Sequence, residues 1–387
     1  MTDQTRGIRS AAPQRHARTI CCPVCGQTNK SRRKTGRGNA LSSSYYSQET
    51  HGPYHIFKAG DFDLESGARL RNLEIAYSTI GDLSAAKDNV ILFPTWYSGT
   101  SKILEQAYVG PGRALDPEKH FIIFVNQIGN GLSSAPHSAS PPFNGARFPH
   151  IAIADDVRAQ HQLVTDVFGI SKLQLVLGGS MGAQQTYEWA VRFPEVVERA
   201  APIAGMAKCT AHNKLLVETF MEAITGDGGW QDGWYENAAA VHLGLRRHAK
   251  LFATHGFTPN LFNTEDWRRL GFASVEDFVT GFVEGHFVPQ DPNNLLTLLA
   301  KWHGGDVSKI TDGDLMAALS RITAKTFVIA IEEDSFFPLH HIAAEQKLIP
   351  NSELKVVSSQ WGHLALFGVD PHYNAAIDTH LKELLAA

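Results

Sequence analysis

Residues 173–190 constrain the fold more tightly than any other part of the chain. Leu173-Gln174-Leu175-Val176-Leu177 reads as a short strand. It runs without a break into Gly178-Gly179-Ser180-Met181-Gly182 and then into the helical pattern Ala183-Gln184-Gln185-Thr186-Tyr187-Glu188-Trp189-Ala190. A strand, G-x-S-x-G and a helix together describe a sharp, strained turn that lifts a serine hydroxyl into a pocket, with small residues on either side to keep the turn free of clashes. The helix that follows aims unpaired N–H groups and a partial positive charge at an anion forming beside the serine. The N–H of Met181 is therefore a natural half of an oxyanion hole. By itself the pentapeptide also fits an ordinary strand-to-helix turn, so its meaning depends on its surroundings.

Those surroundings repeat the same architecture. Apolar runs at Val90–Phe93, Phe121–Val125, Thr326–Ile331 and Leu354–Val357 read, like 173–177, as strands buried on both faces, while 72–78 alternates like a half-buried strand. Helical patterns such as 156–168 and 183–192 separate several of them. The expectation is an α/β fold: a mostly parallel central sheet with helices on both faces. Between residues 208 and 320 the strand rhythm stops. This stretch holds Trp230, Trp234, Trp267 and Trp302 among helix formers, and it is too long for a structureless loop. It reads as a helical lid inserted between two parts of the sheet domain, 51–207 and 321–387. Its aromatics are expected to pack core more often than to line an acyl pocket.

Charge is unevenly spread. The net charge is −4 over 387 residues, yet residues 1–48 hold nine Lys/Arg and one acid (Asp3), leaving about −12 for the rest. An acidic body argues against nucleic acid as a partner. Residues 1–50 read as a basic, disordered extension, of a kind that would also suit a mitochondrial presequence in a eukaryote. Cys21, Cys22 and Cys25 lie there near His16, without the second ligand pair that a structural zinc site needs. With four cysteines in all, no secretory signal and no apolar run long enough to span a membrane, a reducing cytoplasm is the expected location. No metal, nucleotide or flavin motif stands out; Gly226-Asp227-Gly228-Gly229 is a turn signal without phosphate-loop spacing.

The partners of the serine follow in order. An acid and then a histidine should each sit just past a later strand. Glu332-Glu333-Asp334 follows the 326–331 run, and Ser358-Ser359-Gln360-Trp361-Gly362-His363 follows the 354–357 run. The chain has 18 histidines, so position alone proves little, and Glu332 or Glu333 competes for the acid's role. Asp334 is preferred for the Ser335-Phe336-Phe337-Pro338 turn behind it. Ser180, His363 and Asp334 then act as nucleophile, base and orienting acid on a small acyl substrate. The second oxyanion N–H is expected from Trp96, with Tyr97 as its rival, in the loop after Val90–Phe93.

Several landmarks in order now carry a resemblance. They are Gly110-Pro111-Gly112-Arg113-Ala114-Leu115-Asp116, Phe148-Pro149-His150-Ile151-Ala152-Ile153 with Val157-Arg158-Ala159-Gln160, the Ser180 pentapeptide, Trp230-Gln231-Asp232-Gly233-Trp234-Tyr235, Asp334–Pro338 and Gly362-His363. From about Tyr54 onward the chain resembles the homoserine O-acetyltransferase-like branch of the α/β-hydrolases. The resemblance implies an α/β-hydrolase core, a helical lid, a homodimer through that lid, and ping-pong transfer through an acyl-serine. Three departures bear on substrate. Leu364 follows the histidine where the acetyltransferases carry Asp, Lys208 falls where they carry Arg, and Gly129–Pro136 replaces their Gly-Cys-Arg-Gly segment. An amino-acid acceptor needs an anion for its ammonium and a fork for its carboxylate, so their loss favours water or another acceptor over homoserine. Tyr97, Lys208 and Leu364 are thus candidate substrate contacts. An O-acetyltransferase using acetyl-CoA or another acyl-CoA, with acidic lid residues in place of the lost Asp, is the alternative. A non-catalytic ligand-binding hydrolase fold is the third reading.

Overall fold

The computed structural model describes residues 45–387. The cysteines at 21, 22 and 25 and most of the basic extension lie outside the described residues. The end of that extension is packed, contrary to its reading as disordered. The ring of Tyr46 stacks on His137 at 4.5 Å, and its hydroxyl accepts the N–H of Asp291 at 2.8 Å.

Eight strands form one sheet in the order β1-β2-β4-β3-β5-β6-β7-β8. They are β1 (His55–Asp63), β2 (Arg69–Ile80), β3 (Val90–Pro94), β4 (Phe121–Val125), β5 (Leu175–Gly179), β6 (Arg199–Ile203), β7 (Lys325–Ile331) and β8 (Ser352–Val357). β1 pairs antiparallel with β2 and β2 with β4; every other neighbour is parallel. β3, β4 and β5 are buried throughout, as their unbroken apolar runs require. β8 differs from expectation. It is an edge strand in which Glu353 and Val356 are exposed and only Val357 is buried, so its apolar run did not mean burial on both faces. Two strands escaped the sequence reading. β1 is a polar edge strand, and β6 (Arg-Ala-Ala-Pro-Ile) has little β-branched character.

The longer helices are α1 (Ser101–Tyr108), α2 (Ile153–Asp166), α3 (Met181–Arg192), α4 (Ala211–Thr225), α5 (His242–Gly256), α6 (Pro292–His303), α7 (Leu339–Gln346) and α8 (Pro371–Ala386). No helix among the described residues is long and apolar enough to cross a membrane. From Ala211 to Leu319 the described chain is helical, with short turns between, and it leaves the sheet after β6 and returns at β7. The four-residue turn signal in this stretch is a turn: Asp227 accepts the N–H groups of Gly229 and Gly244.

The sheet order reverses at β3. The connection from β3 leads to β4 on one side, and the next leads to β5 on the other. Loops leaving the two strands' carboxyl ends diverge there and open a crevice, the usual ligand position in parallel α/β sheets.

A buried ion pair docks the helical insertion on this core. Lys301, in α6, donates to Asp156 of α2, to the carbonyl of Ile128 at 2.7 Å and to Gln127 at 3.3 Å. Asp156 also accepts the N–H of Ile128. Burial pushes the Asp156 carboxyl up and the Lys301 ammonium down, and these hydrogen bonds oppose both shifts by favouring the ionic pair. Removing one member strands the other. Lys301→Met is expected to cost about 3–5 kcal/mol in urea unfolding, and adding Asp156→Leu should recover much of it, because two apolar groups leave no buried charge unpaired.

Candidate active site

The chemistry-bearing residues come from four loops at the carboxyl ends of parallel strands. Ser180 sits directly after β5 in a backbone conformation of φ 55°, ψ −121°, which side-chain-bearing residues rarely adopt. Its neighbours explain how the turn survives. Gly178 lies against Gly182, so a Cβ on Gly178 would stand 2.3 Å from the Gly182 carbonyl carbon. A Cβ on Gly182 would stand 2.8 Å from the carbonyl oxygen of Pro94 at the end of β3. The turn is locked further by the Ser180 N–H, which donates to Ile203 of β6 at 2.9 Å, and by its carbonyl, which starts α3 by accepting from Ala183.

His363 reaches the serine from the loop after β8. Its Nε2 lies 2.9 Å from Ser180 Oγ, and its Nδ1 lies 2.7 Å from Asp334 Oδ2. The other carboxylate oxygen of Asp334 accepts the N–H groups of Phe336 at 2.8 Å and Phe337 at 3.1 Å. The Ser-Phe-Phe-Pro turn thus aims one oxygen at the imidazole by holding the other. Of the competing acids, Glu332 is exposed, and Glu333 binds the hydroxyl of Ser358 and the N–H of Ser359, steadying the loop that carries His363. Ser180, Asp334 and His363 are each 3–4% exposed, so the three polar groups meet almost out of water.

The candidate oxyanion donors lie on two neighbouring loops, after β3 and after β5. Met181 opens α3, and Trp96 lies in the loop after β3; among the described residues no acceptor takes the backbone N–H of either. The Trp96 side chain covers the turn, since a Cβ on Gly179 would meet it at 3.5 Å. The rival N–H of Tyr97 is likewise unengaged among the described residues, while the Tyr97 hydroxyl bonds His248 of α5 at 2.9 Å.

Around Ser180 and His363 close Trp96, Tyr97, Phe252, Trp302, Leu364, Leu366 and Phe367. The free cavity volume is about 10 Å³, close to what one water needs. Tyr97 and Leu364 thus lie where substrate contacts were expected, but Lys208 does not. Its ammonium pairs with Asp306 at 3.0 Å and with Ser308 at 2.9 Å, away from the cavity. Neither the Gly129–Pro136 segment nor a carboxylate lines the cavity among the described residues. Sequence reasoning missed Phe252 and placed Trp302 with the core aromatics; both belong to the insertion, and nothing in their local pattern marks which helix face meets the serine.

The sequence and the fold both have known relatives. The α/β hydrolase fold family matches residues 89–368. The ethyl acetate hydrolase of Pseudomonas veronii is 51% identical over 345 residues, 89% of this chain and 99% of that protein. The solved acetyl esterase MekB, also 51% identical, superposes with a TM-score of 0.88 over 89% of this chain and all of its own. A homoserine O-acetyltransferase from Trichormus variabilis is 32% identical over 314 residues, covering 78% of this chain and 86% of its own.

The turn itself is open to test. Gly178→Ala pushes a methyl into the Gly182 backbone, which cannot rotate aside as a side chain would. We expect a stability loss of roughly 1–3 kcal/mol or more in thermal unfolding, together with slower labelling of Ser180 by a fluorophosphonate. The family match over most of the sheet and insertion, with these identities and this superposition, leads to one assignment: the chain belongs to the α/β-hydrolase family, in the branch that includes acetyl esterases and homoserine O-acetyltransferases.

Proposed function

We propose that the protein hydrolyses small acetyl esters through an acetyl-Ser180 intermediate. His363 Nε2 takes the serine proton as Oγ attacks the ester carbonyl, and Asp334 keeps the Nδ1–H tautomer and stabilises the imidazolium. The N–H groups of Met181 and Trp96 receive the oxyanion. Collapse of the tetrahedral species sends the proton from His363 to the leaving alcohol. Water then enters, gives its proton to His363 and attacks the acetyl carbon, and the second collapse returns acetate and free serine.

The observation that carries this reading is the size and chemistry of the cavity. It is tight, apolar and free of carboxylates among the described residues, with Leu364 beside the histidine. An amino-acid acceptor would leave its ammonium and carboxylate without partners there, a desolvation cost that an alcohol or water does not incur. The ethyl acetate hydrolase and the acetyl esterase named above support the same substrate class.

Purified protein should release acetate from ethyl acetate and p-nitrophenol from p-nitrophenyl acetate. Ser180→Ala should lower kcat by about 10⁶-fold, as loss of a triad serine does elsewhere. Acetyl-CoA with homoserine should give no O-acetylhomoserine; robust product would replace hydrolysis by transfer. The wall at Phe252 should set acyl length. Phe252→Ala is expected to raise the butanoate-to-acetate ratio of kcat/KM by about tenfold or more, the usual worth of space for extra methylenes, and an unchanged ratio would remove Phe252 from that role.

A further inference from the structure

The loop that presents the Trp96 N–H belongs to no strand or helix, and it is strained. Ser98 holds φ 57°, a left-handed value that persists in a side-chain-bearing residue only where its surroundings over-determine it. The core secures one end. The amides of Gln127 and Gln185 both donate to the carbonyl of Thr95, at 2.7 and 2.9 Å, and the N–H of Gln127 donates to its hydroxyl at 3.2 Å.

The other end is held by the insertion. Tyr97 Oη lies 2.9 Å from His248 Nε2, and Ser98 Oγ lies 3.0 Å from His286 Nε2. Gln290 reaches the Ser98 carbonyl at 3.5 Å and the His286 carbonyl at 2.9 Å. Its amide nitrogen also faces His286 Nε2 at 3.4 Å, a donor whose position favours the tautomer in which that ring nitrogen accepts from the Ser98 hydroxyl. All four loop and histidine side chains are buried. Neither imidazole lines the cavity around Ser180, so neither touches a reacting atom.

Building on the acyl-enzyme reading above, we propose that His248 and His286 are positioning residues for the oxyanion loop. By holding Tyr97 and Ser98 from the insertion, they fix the direction of the Trp96 N–H. Both rings stay neutral at any working pH, because burial lowers each to about 3, with His51 adding to the effect at His286. They act as fixed hydrogen-bond partners, not as proton carriers.

The test compares His286→Leu, which removes the acceptor, with His286→Gln, whose side-chain oxygen can replace Nε2, and with Tyr97→Phe, which keeps the ring and loses only the hydroxyl. Hydrolysis of p-nitrophenyl acetate is read alongside inhibition by 1,1,1-trifluoroacetone, whose adduct on a serine places an oxyanion in the hole. His286→Leu and Tyr97→Phe should each lower kcat by roughly 10- to 100-fold, below the 10²–10³ that outright loss of an oxyanion donor costs. KM should stay within about threefold, trifluoroacetone should weaken in step with kcat, and the pH profile should keep its shape. His286→Gln should regain most of the loss.

Folded Leu and Phe variants with full kcat would overturn the proposal. So would a change confined to KM, or a fall in kcat that leaves trifluoroacetone affinity intact. If His286→Leu does not fold, Tyr97→Phe decides by the same readings. A Ser180→Ala protein that remained active would sink the acyl-enzyme reading itself, an outcome separate from any behaviour of the histidine variants.

Discussion

The architecture of the site depends on how closely the start of α3 can approach the end of β3. With glycine at 182, the α3 backbone sits against the Pro94 carbonyl, at a distance no Cβ would tolerate. That approach places the first N–H of the helix beside the loop carrying Trp96, at the point where the sheet order reverses. Gly178 then lies over Gly182, and the chain between them has no room for a relaxed path. The φ of 55° at Ser180 follows from this crowding. The strain, of order 1–3 kcal/mol for such a conformation, is held by β5–β6 pairing, by the Ser180 N–H on Ile203 and by a helix buried along its length. A serine hydroxyl held this way keeps its orientation, because moving it would break the turn.

Once the turn is fixed, parallel topology sets the distance over which the other residues must reach. β7 and β8 pair in register from Thr326 with Ser352 to Ile331 with Val357. Their carboxyl ends therefore finish level, and loops of a few residues are enough to bring Asp334 and His363 to one point. This is why chain order was informative. In a parallel sheet, a residue just past a strand end lies on the same edge as every other such residue, so an acid after one strand and a histidine after the next are neighbours before any side-chain contact is known. Ser180, Asp334 and His363 were legible for that reason, as were β2, β3, β4, β5 and β7. The choice of Asp334 over Glu333 was legible only through the Phe336-Phe337 turn, whose two N–H groups select the shorter carboxylate.

The unread parts share a physical cause. β8 has the apolar content of an interior strand but stands at the sheet's edge, and one strand's sequence does not report whether a neighbour covers its other face. Lys208 follows β6 as an arginine would in the acetyltransferases, yet Asp306 and Ser308 draw its ammonium aside. Those partners lie about a hundred positions away and could not be paired with it by local pattern. Tyr46 belongs to a segment whose composition reads as disordered; it is ordered by contacts with His137 and Asp291 that a window around residue 46 does not contain. For Lys208 and Tyr46 the deciding contact is distant in sequence and made by a single side chain, whereas strand and turn signals repeat over several residues.

The insertion brings these non-local contacts to bear on the chemistry. α6 carries Lys301 into the core beside Asp156 and, one residue later, Trp302 into the wall of the cavity. Because consecutive residues on one helix do both jobs, the wall is only as well placed as the ion pair. Gln127 extends the same linkage. It accepts from Lys301 through its side-chain oxygen and donates through its nitrogen to Thr95, at the base of the loop carrying Trp96. A buried ion pair adds little net stability over an apolar replacement, since both charges lose their water. Its value here lies in geometry: Lys301 has three defined acceptors and so one seat, while a leucine or methionine could settle in several. A cavity that admits about one water above the serine tolerates little such freedom. If its wall shifted by the width of a methyl group, the boundary between an acetyl group and a longer acyl chain would blur. The charged pair is thus better understood as fixing the dimensions of the site than as strengthening the fold.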